Sequence, residues 1–204
     1  MSMNDDLASA TDKMHKQIWK TKGARFAAHH RMRRMHAWAL ASMTICSVYI
    51  LSISTFLLVA NLDPIIVDWL NALAIISSAG MIGLSLFDSG KSYEAKAERL
   101  HECGLDLSRL DHEVDLFIAS GYAEGQDRLS KLMSKYHEIL RMHKENHDNV
   151  DYDRFRAQYR DDMGISYIKA TRFSMLYWIK TYGRFFLIIA IPPLIAMWIF
   201  LQSS

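Results

Sequence analysis

Long apolar stretches dominate the first half of the chain, and a short polar segment separates two of them. Trp38 to Leu62 runs for 25 residues and Trp69 to Phe87 for 19 residues without Asp, Glu, Lys, Arg or His. A helix needs about 20 apolar residues to cross the hydrocarbon core of a bilayer. The pattern predicts a transmembrane helical hairpin over residues 37–87, within an all-α membrane protein.

Asp63 and Pro64 are predicted to form the turn of this hairpin. Proline cannot continue the first helix, and it disfavours the helical conformation for the residue before it. At the start of the second helix, in contrast, proline is well placed because its missing N–H has no helical partner there.

Basic residues are absent from both apolar stretches and from the segment between them. Of the 24 Lys and Arg residues, eight lie in 13–34 and sixteen in 91–184. By the positive-inside rule, the N-terminus and residues 88–184 are predicted to be cytoplasmic, with the hairpin turn outside. Because residues 88–184 carry 16 positive and 17 negative side chains, direct nucleic-acid binding is not indicated.

Residues 1–36 are predicted to form a basic cytoplasmic arm. From Lys13 onward its apolar residues recur at near-helical spacing: Met14, Ile18, Trp19 and Phe26. Basic side chains beside anionic lipid headgroups contribute about 1 kcal/mol each, so an amphipathic helix near the membrane surface is expected. His29 and His30 are expected to carry a charge tuned by pH rather than to bind a metal.

A third apolar stretch, Phe185 to Leu201, has 17 residues and contains Pro192 and Pro193. Its length and the aromatic and basic residues before it favour a third, kinked transmembrane helix within 185–204. The alternative is a re-entrant or interfacial segment, because two prolines remove backbone donors that lipid cannot replace.

Heptad spacing marks the region after the second span. Two positions of the repeat are apolar, and they predict a coiled-coil-like seam: Tyr93, Leu100, Leu107 and Val114, with Cys103, Leu110 and Phe117. Since no proline lies between Phe87 and Ser120, the second span is expected to continue directly into this helix.

A second heptad run follows a turn at Gly121 and Gly125. It comprises Leu129, Tyr136 and His143, with Leu132 or Met133 and Ile139 or Leu140 as partners. Two such helices joined by a short turn predict an antiparallel pair. Residues 146–153 are polar and predict a loop, and an amphipathic helix is expected over 155–182.

Small polar side chains recur along both spans, and we call them the polar stripe: Thr44, Ser47 and Ser54 in the first, and Asn71, Ser78 and Ser85 in the second. One interpretation is the lining of a water-filled path in an oligomer. The alternative is helix–helix packing, for which Ala79 and Gly83 provide a small-residue pattern. The two are compatible, because an oligomeric pore needs both.

Patterns typical of catalytic, cofactor and metal sites are not found. His143 and His147 have i, i+4 spacing but lack the further ligands of a zinc site, so a solvated helix end is favoured. Cys46 and Cys103 are too few and too far apart for a disulfide framework. Without a phosphate loop, a dinucleotide glycine pattern or a nucleophile elbow, we expect neither enzymatic activity nor a cofactor.

The segment that begins at Ser85 carries Tyr93, Ala97 and His101 at a spacing of four residues. A helical hairpin followed by this Tyr-x-x-x-Ala-x-x-x-His helix resembles the SLATT superfamily, the SMODS- and SLOG-associating two-transmembrane effector domains of bacterial defence systems. The resemblance covers most of residues 10–185 and is nearest to the reverse-transcriptase-associated family 5. The third apolar stretch departs from the two-span plan.

The resemblance implies a multi-pass effector of the bacterial inner membrane. Such an effector would receive a signal from a nucleotide-producing, nucleotide-binding or reverse-transcribing partner, assemble as a homo-oligomer and disrupt the lipid bilayer. A non-conducting membrane scaffold that recruits a cytosolic enzyme is the alternative. A transporter subunit is disfavoured because no charged residue lies in the middle of a span.

Overall fold

The computed structural model describes residues 3–202, and these form six α-helices without any strand. The helices are α1 (Met3–Val59), α2 (Pro64–Lys91), α3 (Tyr93–Ala119), α4 (Gly125–Met142), α5 (Asn149–Gln158) and α6 (Tyr167–Gln202). Helix accounts for 88% of the described residues. The predicted all-α fold is therefore confirmed.

Helix α1 runs unbroken for 57 residues through the boundary predicted between the basic arm and the first span. Its sequence contains no proline, and Gly23 is its one glycine. No helix-breaking residue therefore ends the helix at residue 36. The change from polar to apolar residues alters the side chains that the helix carries, but not its backbone.

The hairpin turn lies at the predicted residues. Asp63 is the N-cap of α2, where its Oδ1 accepts a hydrogen bond of 2.8 Å from the Ile65 N–H, and Pro64 is the first helical residue. The cap satisfies one of the donors that a helix start leaves without a partner.

The expected continuous helix from the second span into the heptad region is wrong in one detail. Ser92 adopts a left-handed conformation with φ of 48°, so α2 ends at Lys91 and α3 starts afresh at Tyr93. This conformation is uncommon for a residue with a side chain, and a single residue is enough to interrupt the hydrogen-bond ladder.

The described chain divides into two compact units. The first, here called the helical unit, comprises residues up to Met32 together with Glu94–Tyr177. The second, the apolar unit, comprises Arg33–Tyr93 together with the residues from Trp178 onward. The start of α1 is therefore in the same compact unit as residues from the second half of the chain.

The core of the helical unit is built by three helices rather than by the predicted pair. The heptad residues of α3 from Cys103 to Phe117 pack with Met14 and Ile18 of α1 and with three residues of α4, namely Leu129, Leu132 and Tyr136. Leu132 is buried and Met133 is exposed, which resolves the alternative in the second heptad run. The seam of α3 is thus buried by residues of both α4 and α1.

The loop predicted over 146–153 ends earlier, at Asp148, because α5 begins at Asn149. Asp148 and Asp151 form a capping box, in which each side chain accepts a hydrogen bond from the other residue's backbone N–H. The long helix expected over 155–182 is likewise interrupted between Gln158 and Tyr167, where Gly164 has a φ of 60°.

In the apolar unit, Leu70 and Leu73 of α2 pack with Ile199 of α6, supported by Ile53 and Leu57 of α1 and other partly buried side chains. Helix α6 continues through Pro192 and Pro193. Three helices are long and apolar enough to cross a membrane, and in each only 11% of the most apolar window is buried. The third apolar stretch therefore lies in a helix that is long and apolar enough to span a membrane.

Candidate functional site

The polar stripe lies mainly on the outside of the apolar unit. Five of its six residues are exposed and Ser78 is half-buried; the exposed five are Thr44, Ser47, Ser54, Asn71 and Ser85. Packing within one chain therefore does not explain their positions. Their surface remains available to lipid or to another copy of the chain.

Three hydroxyl groups of the stripe donate hydrogen bonds within their own helices. Thr44 donates to the Leu40 carbonyl (3.0 Å), and Ser47 and Ser78 donate to the carbonyls four residues before them (2.9 and 2.8 Å). A hydroxyl that is satisfied in this way is compatible with an apolar surrounding. The stripe is only weakly polar, and it contains no charge.

A second exposed surface on α2 is made of small residues. Ala79 and Gly83 are exposed, and a Cβ added at Gly80 or Gly83 would meet no atom within 4 Å. Small residues allow close approach of helix backbones in a membrane. Among the described residues, none places an atom within 4 Å of a Cβ added at either glycine of this small face.

Packing between the apolar helices uses a different set of small residues, namely Ala39, Ser42 and Cys46, all of which are buried. Their spacing of three and four residues places them on one face of α1. Ser42 donates a hydrogen bond of 2.8 Å to the Ala39 carbonyl. None of the three is among the predicted site residues, although small residues at this spacing are the usual sign of a packing face.

Charged side chains of the apolar unit gather near the ends of its helices. Arg184 donates a 2.9 Å hydrogen bond to the Tyr93 hydroxyl, and its guanidinium lies 5.2 Å from the centre of the Tyr93 ring. Nδ1 of His36 lies 3.6 Å from a carboxylate oxygen of Asp88. Arg34 donates to the Tyr182 hydroxyl at 3.4 Å. The residue Tyr93 of the predicted motif thus has a hydrogen-bonded partner in α6.

Aromatic side chains lie beside these charges. The rings of Trp38 and Tyr182 are 5.6 Å apart, and Phe186 stacks on Trp178 with centroids 5.6 Å apart. Aromatic and basic residues together are typical of the boundary between lipid and water.

The other two motif residues contact α1 inside the helical unit. Ala97 is 1% exposed, and its carbonyl oxygen lies 2.9 Å from Nδ1 of His29. The His101 ring lies 4.7 Å from the His29 ring and 5.8 Å from the Phe26 ring. The motif helix therefore packs closely on α1, and His29 lies in that contact rather than at a lipid surface.

Gly104, one turn further along α3, lies in the same contact between α3 and α1. A Cβ added at Gly104 would lie 2.7 Å from the Phe26 ring. At Gly23 of α1, an added Cβ would overlap the ring of Phe155. Both positions need the smallest side chain because an aromatic ring occupies the adjacent space.

A buried ion pair joins α1 to α5. Arg31 donates from Nε to Oδ1 of Asp151 at 2.7 Å and from Nη2 to Oδ2 at 2.9 Å, and it also contacts Asp148. Asp151 is fully buried. Burial opposes the charged form of the guanidinium, but the hydrogen bonds and charges of the two carboxylates outweigh it and raise the pKa of Arg31.

The two histidines predicted to end a helix lie outside α4. His143 is the C-cap residue, and its Nε2 lies 2.8 Å from a carboxylate oxygen of Asp106. His147 lies in the loop before α5, where burial first and the charge of Arg25 second lower its pKa. Among the described residues no three His, Cys, Asp or Glu side chains converge to hold a metal ion.

Both cysteines are buried and free. Burial raises the pKa of the Cys103 thiol, so the reactive thiolate is disfavoured at neutral pH. Cys103 acts as a small apolar member of the helical-unit core.

Comparison with known proteins gives one match. The model of the SMODS and SLOG-associating 2TM effector domain family 5 matches residues 7–199. The matched segment therefore includes most of α6 in addition to the hairpin. No curated protein and no solved structure matches the chain.

Proposed function

The chain belongs to family 5 of the SMODS and SLOG-associating two-transmembrane effector domains, and from this premise we propose that it forms an oligomeric pore. Domains of this type are effectors associated with defence systems. The pore would open in the bacterial inner membrane on a signal from a partner during phage infection. The helical unit would face the cytoplasm, as the distribution of basic residues predicts.

The observation that carries this proposal is the exposure of the polar stripe and of the small face on α2. Lipid tails cannot form hydrogen bonds with serine and asparagine side chains, whereas water in a pore can. The small face offers α2 a surface for close packing against another copy. A single copy leaves both surfaces uncovered.

Ion leakage from liposomes tests the proposal. Purified full-length protein is reconstituted into liposomes that contain a potassium-sensitive dye, with or without the native partner and its signal. We expect leakage from the wild-type protein and a loss of at least tenfold in Ser78→Leu/Ser85→Leu, because leucine removes the polar lining without a change in charge. Absence of leakage in the presence of the native partner would rule out the pore.

A matched control replaces exposed apolar residues elsewhere on the apolar unit. Ile75→Leu and Ile82→Leu change two exposed side chains of α2 but leave its polar residues in place. They should leak as the wild-type protein does. If the control loses leakage equally, the polar stripe is not the lining.

A non-conducting scaffold remains the second candidate function, and the exposed acidic face of α3 favours it. Glu98 and Glu102 lie one turn apart and are both exposed. Such a face can bind a basic partner surface. The scaffold predicts that Glu98→Lys/Glu102→Lys abolishes function in cells, whereas Ser78→Leu/Ser85→Leu leaves it intact.

A further inference from the structure

The helical unit contains an open cavity that none of the features above uses. Its volume is about 430 Å³, within the range of small-molecule sites, and α1 supplies most of its wall. The lining residues are Lys13, Lys16, Gln17, Lys20, Thr21, His147 and Tyr152. All of them belong to the helical unit.

Positive charge is concentrated on the α1 side of this cavity. Lys13, Lys16 and Lys20 are spaced by three and four residues, so they share one helix face, where like charges repel. Lys16 forms an exposed ion pair with Asp12. Lys13 and Lys20 have no ion-pair partner among the residues that the structure describes.

The carboxylates nearest in sequence to the opposite wall are already engaged. Asp148 and Asp151 bind Arg31, and Glu145 pairs with Arg99. The charge of the lysines is therefore not balanced from that side. An anionic ligand would remove the repulsion, because a phosphate group accepts hydrogen bonds from several ammonium groups at once.

Aromatic rings form the other wall. The His147 and Tyr152 rings lie 6.4 Å apart, and Arg156 stacks 5.7 Å from the centre of the Tyr152 ring. A planar heterocycle could stack on such rings.

We propose that this cavity binds a phosphate ester that carries a planar ring, the chemistry of a nucleotide. The three lysines hold the phosphate groups, and Tyr152 and His147 contact the ring. This inference rests on the proposed function in one respect, because it identifies the helical unit as the place where the effector receives its signal.

Equilibrium binding of three probes to full-length protein in nanodiscs of zwitterionic lipid tests the proposal. The probes are ATP, AMP and inorganic tripolyphosphate. We expect saturable binding of ATP that weakens at least tenfold in K13Q/K16Q/K20Q and weakens as salt is raised. The control K131Q/K144Q/K169Q removes the same charge from exposed lysines outside the cavity and should bind as the wild-type protein does.

Variants of Tyr152 test the ring contact separately. Tyr152→Phe retains the ring and should retain ATP affinity, whereas Tyr152→Leu should weaken ATP binding but leave tripolyphosphate binding unchanged. Equal affinity in the lysine triple variant, or no saturable binding of any probe, would overturn the proposal. Circular dichroism of each variant confirms that it is folded.

Anionic lipid headgroups share the phosphate chemistry, so the lipid source is tested as well. If phosphatidylglycerol in the nanodisc displaces ATP, the cavity is a headgroup site and the free nucleotide is excluded. Binding is measured without ion flux, so this test and the leakage test fail independently. Nucleotide binding without leakage would support the cavity and reject the pore, and the reverse result would do the opposite.

Discussion

The helical unit and the apolar unit differ in what covers their side chains. In the helical unit, Leu107, Val114 and Leu132 are completely buried by protein. In the apolar unit, large apolar side chains face outward, and Leu58 is 86% exposed. An apolar surface of this extent is not stable in water. The first unit therefore completes its core by itself, whereas the second needs lipid or further copies to cover it.

The two units also differ in where their polar side chains lie and in what these side chains bind. The helical unit buries the ion pair of Arg31 and Asp151, because several hydrogen bonds compensate the loss of water. In the apolar unit, the hydroxyls of Ser47 and Ser78 bond to their own helix, and charged groups remain near the helix ends. A buried ion pair thus links helices in the helical unit, whereas charged contacts of the apolar unit lie near its helix ends.

The largest effect is expected from the buried ion pair. Arg31→Met leaves the Asp151 carboxylate buried without its partner and should lower the free energy of unfolding by about 3–5 kcal/mol. Denaturant unfolding of the detergent-solubilised chain measures it, in a background where the other four tryptophans are replaced by phenylalanine, so that the fluorescence of Trp19 reports on the helical unit.

Two control variants separate charge from shape. Arg31→Met/Asp151→Leu removes both buried charges and should recover much of the loss. Arg109→Met affects an ion pair whose arginine is 78% exposed and should change little. An equal loss in both single variants would mean that burial does not distinguish the pairs.

A smaller effect is expected from filling a helix contact. Gly23→Ala inserts a methyl group where the Phe155 ring lies and should lower the free energy of unfolding by about 1–3 kcal/mol. Gly83→Ala has no atom within 4 Å of its new Cβ, so it should not lower stability. If the two variants behave alike, the close contact at Gly23 is absent in solution.

The exposed small face allows assembly to be changed without loss of the fold. Gly83→Leu should leave unfolding of the helical unit unchanged but reduce the oligomer and its leakage, since a bulky side chain separates the helices. Size-exclusion chromatography with light scattering gives the stoichiometry. Ile82→Leu next to it serves as the control, and an unchanged oligomer would remove the small face from the proposed assembly.

The smallest effect concerns pH. Burial and Arg25 lower the pKa of His147 below its ordinary value near 6.5. As pH falls below 6.5, the unfolded chain binds the proton first, so the free energy of unfolding decreases until the folded pKa is passed. Asp148 and Asp151 oppose this shift. His147→Asn should reduce the pH dependence of unfolding between pH 7 and 5, and an unchanged slope would contradict this.

Periodic features of the fold were predictable from the sequence. The heptad residues from Leu100 to Phe117 are buried because their spacing matches the helix period, and Asp63 with Pro64 defines a turn by local chemistry alone. The start of α5 was also encoded locally, by Asp148 and Asp151 three residues apart. Polar composition alone predicts a loop there, whereas the capping pattern starts a helix at Asn149.

The long-range parts of the site could not be predicted in this way. Arg31 and Asp151 are separated by 120 residues, and no periodicity in one sequence connects them. Similarly, polar residues of the spans could be identified, but which of them are buried depends on how three helices pack. Ser42 is buried and Ser47 is exposed for that reason.

The division of α1 between the two units has a consequence for the order of synthesis. Met14 and Ile18 are made first, yet the core that they complete includes Leu132 and Tyr136. At about 5–20 residues per second, the 120 residues from Arg31 to Asp151 take about 6 to 24 s to translate. Both helices of the hairpin leave the ribosome within that interval. Delivery of the hairpin to the bilayer can therefore be complete before the last residues of the helical-unit core are made.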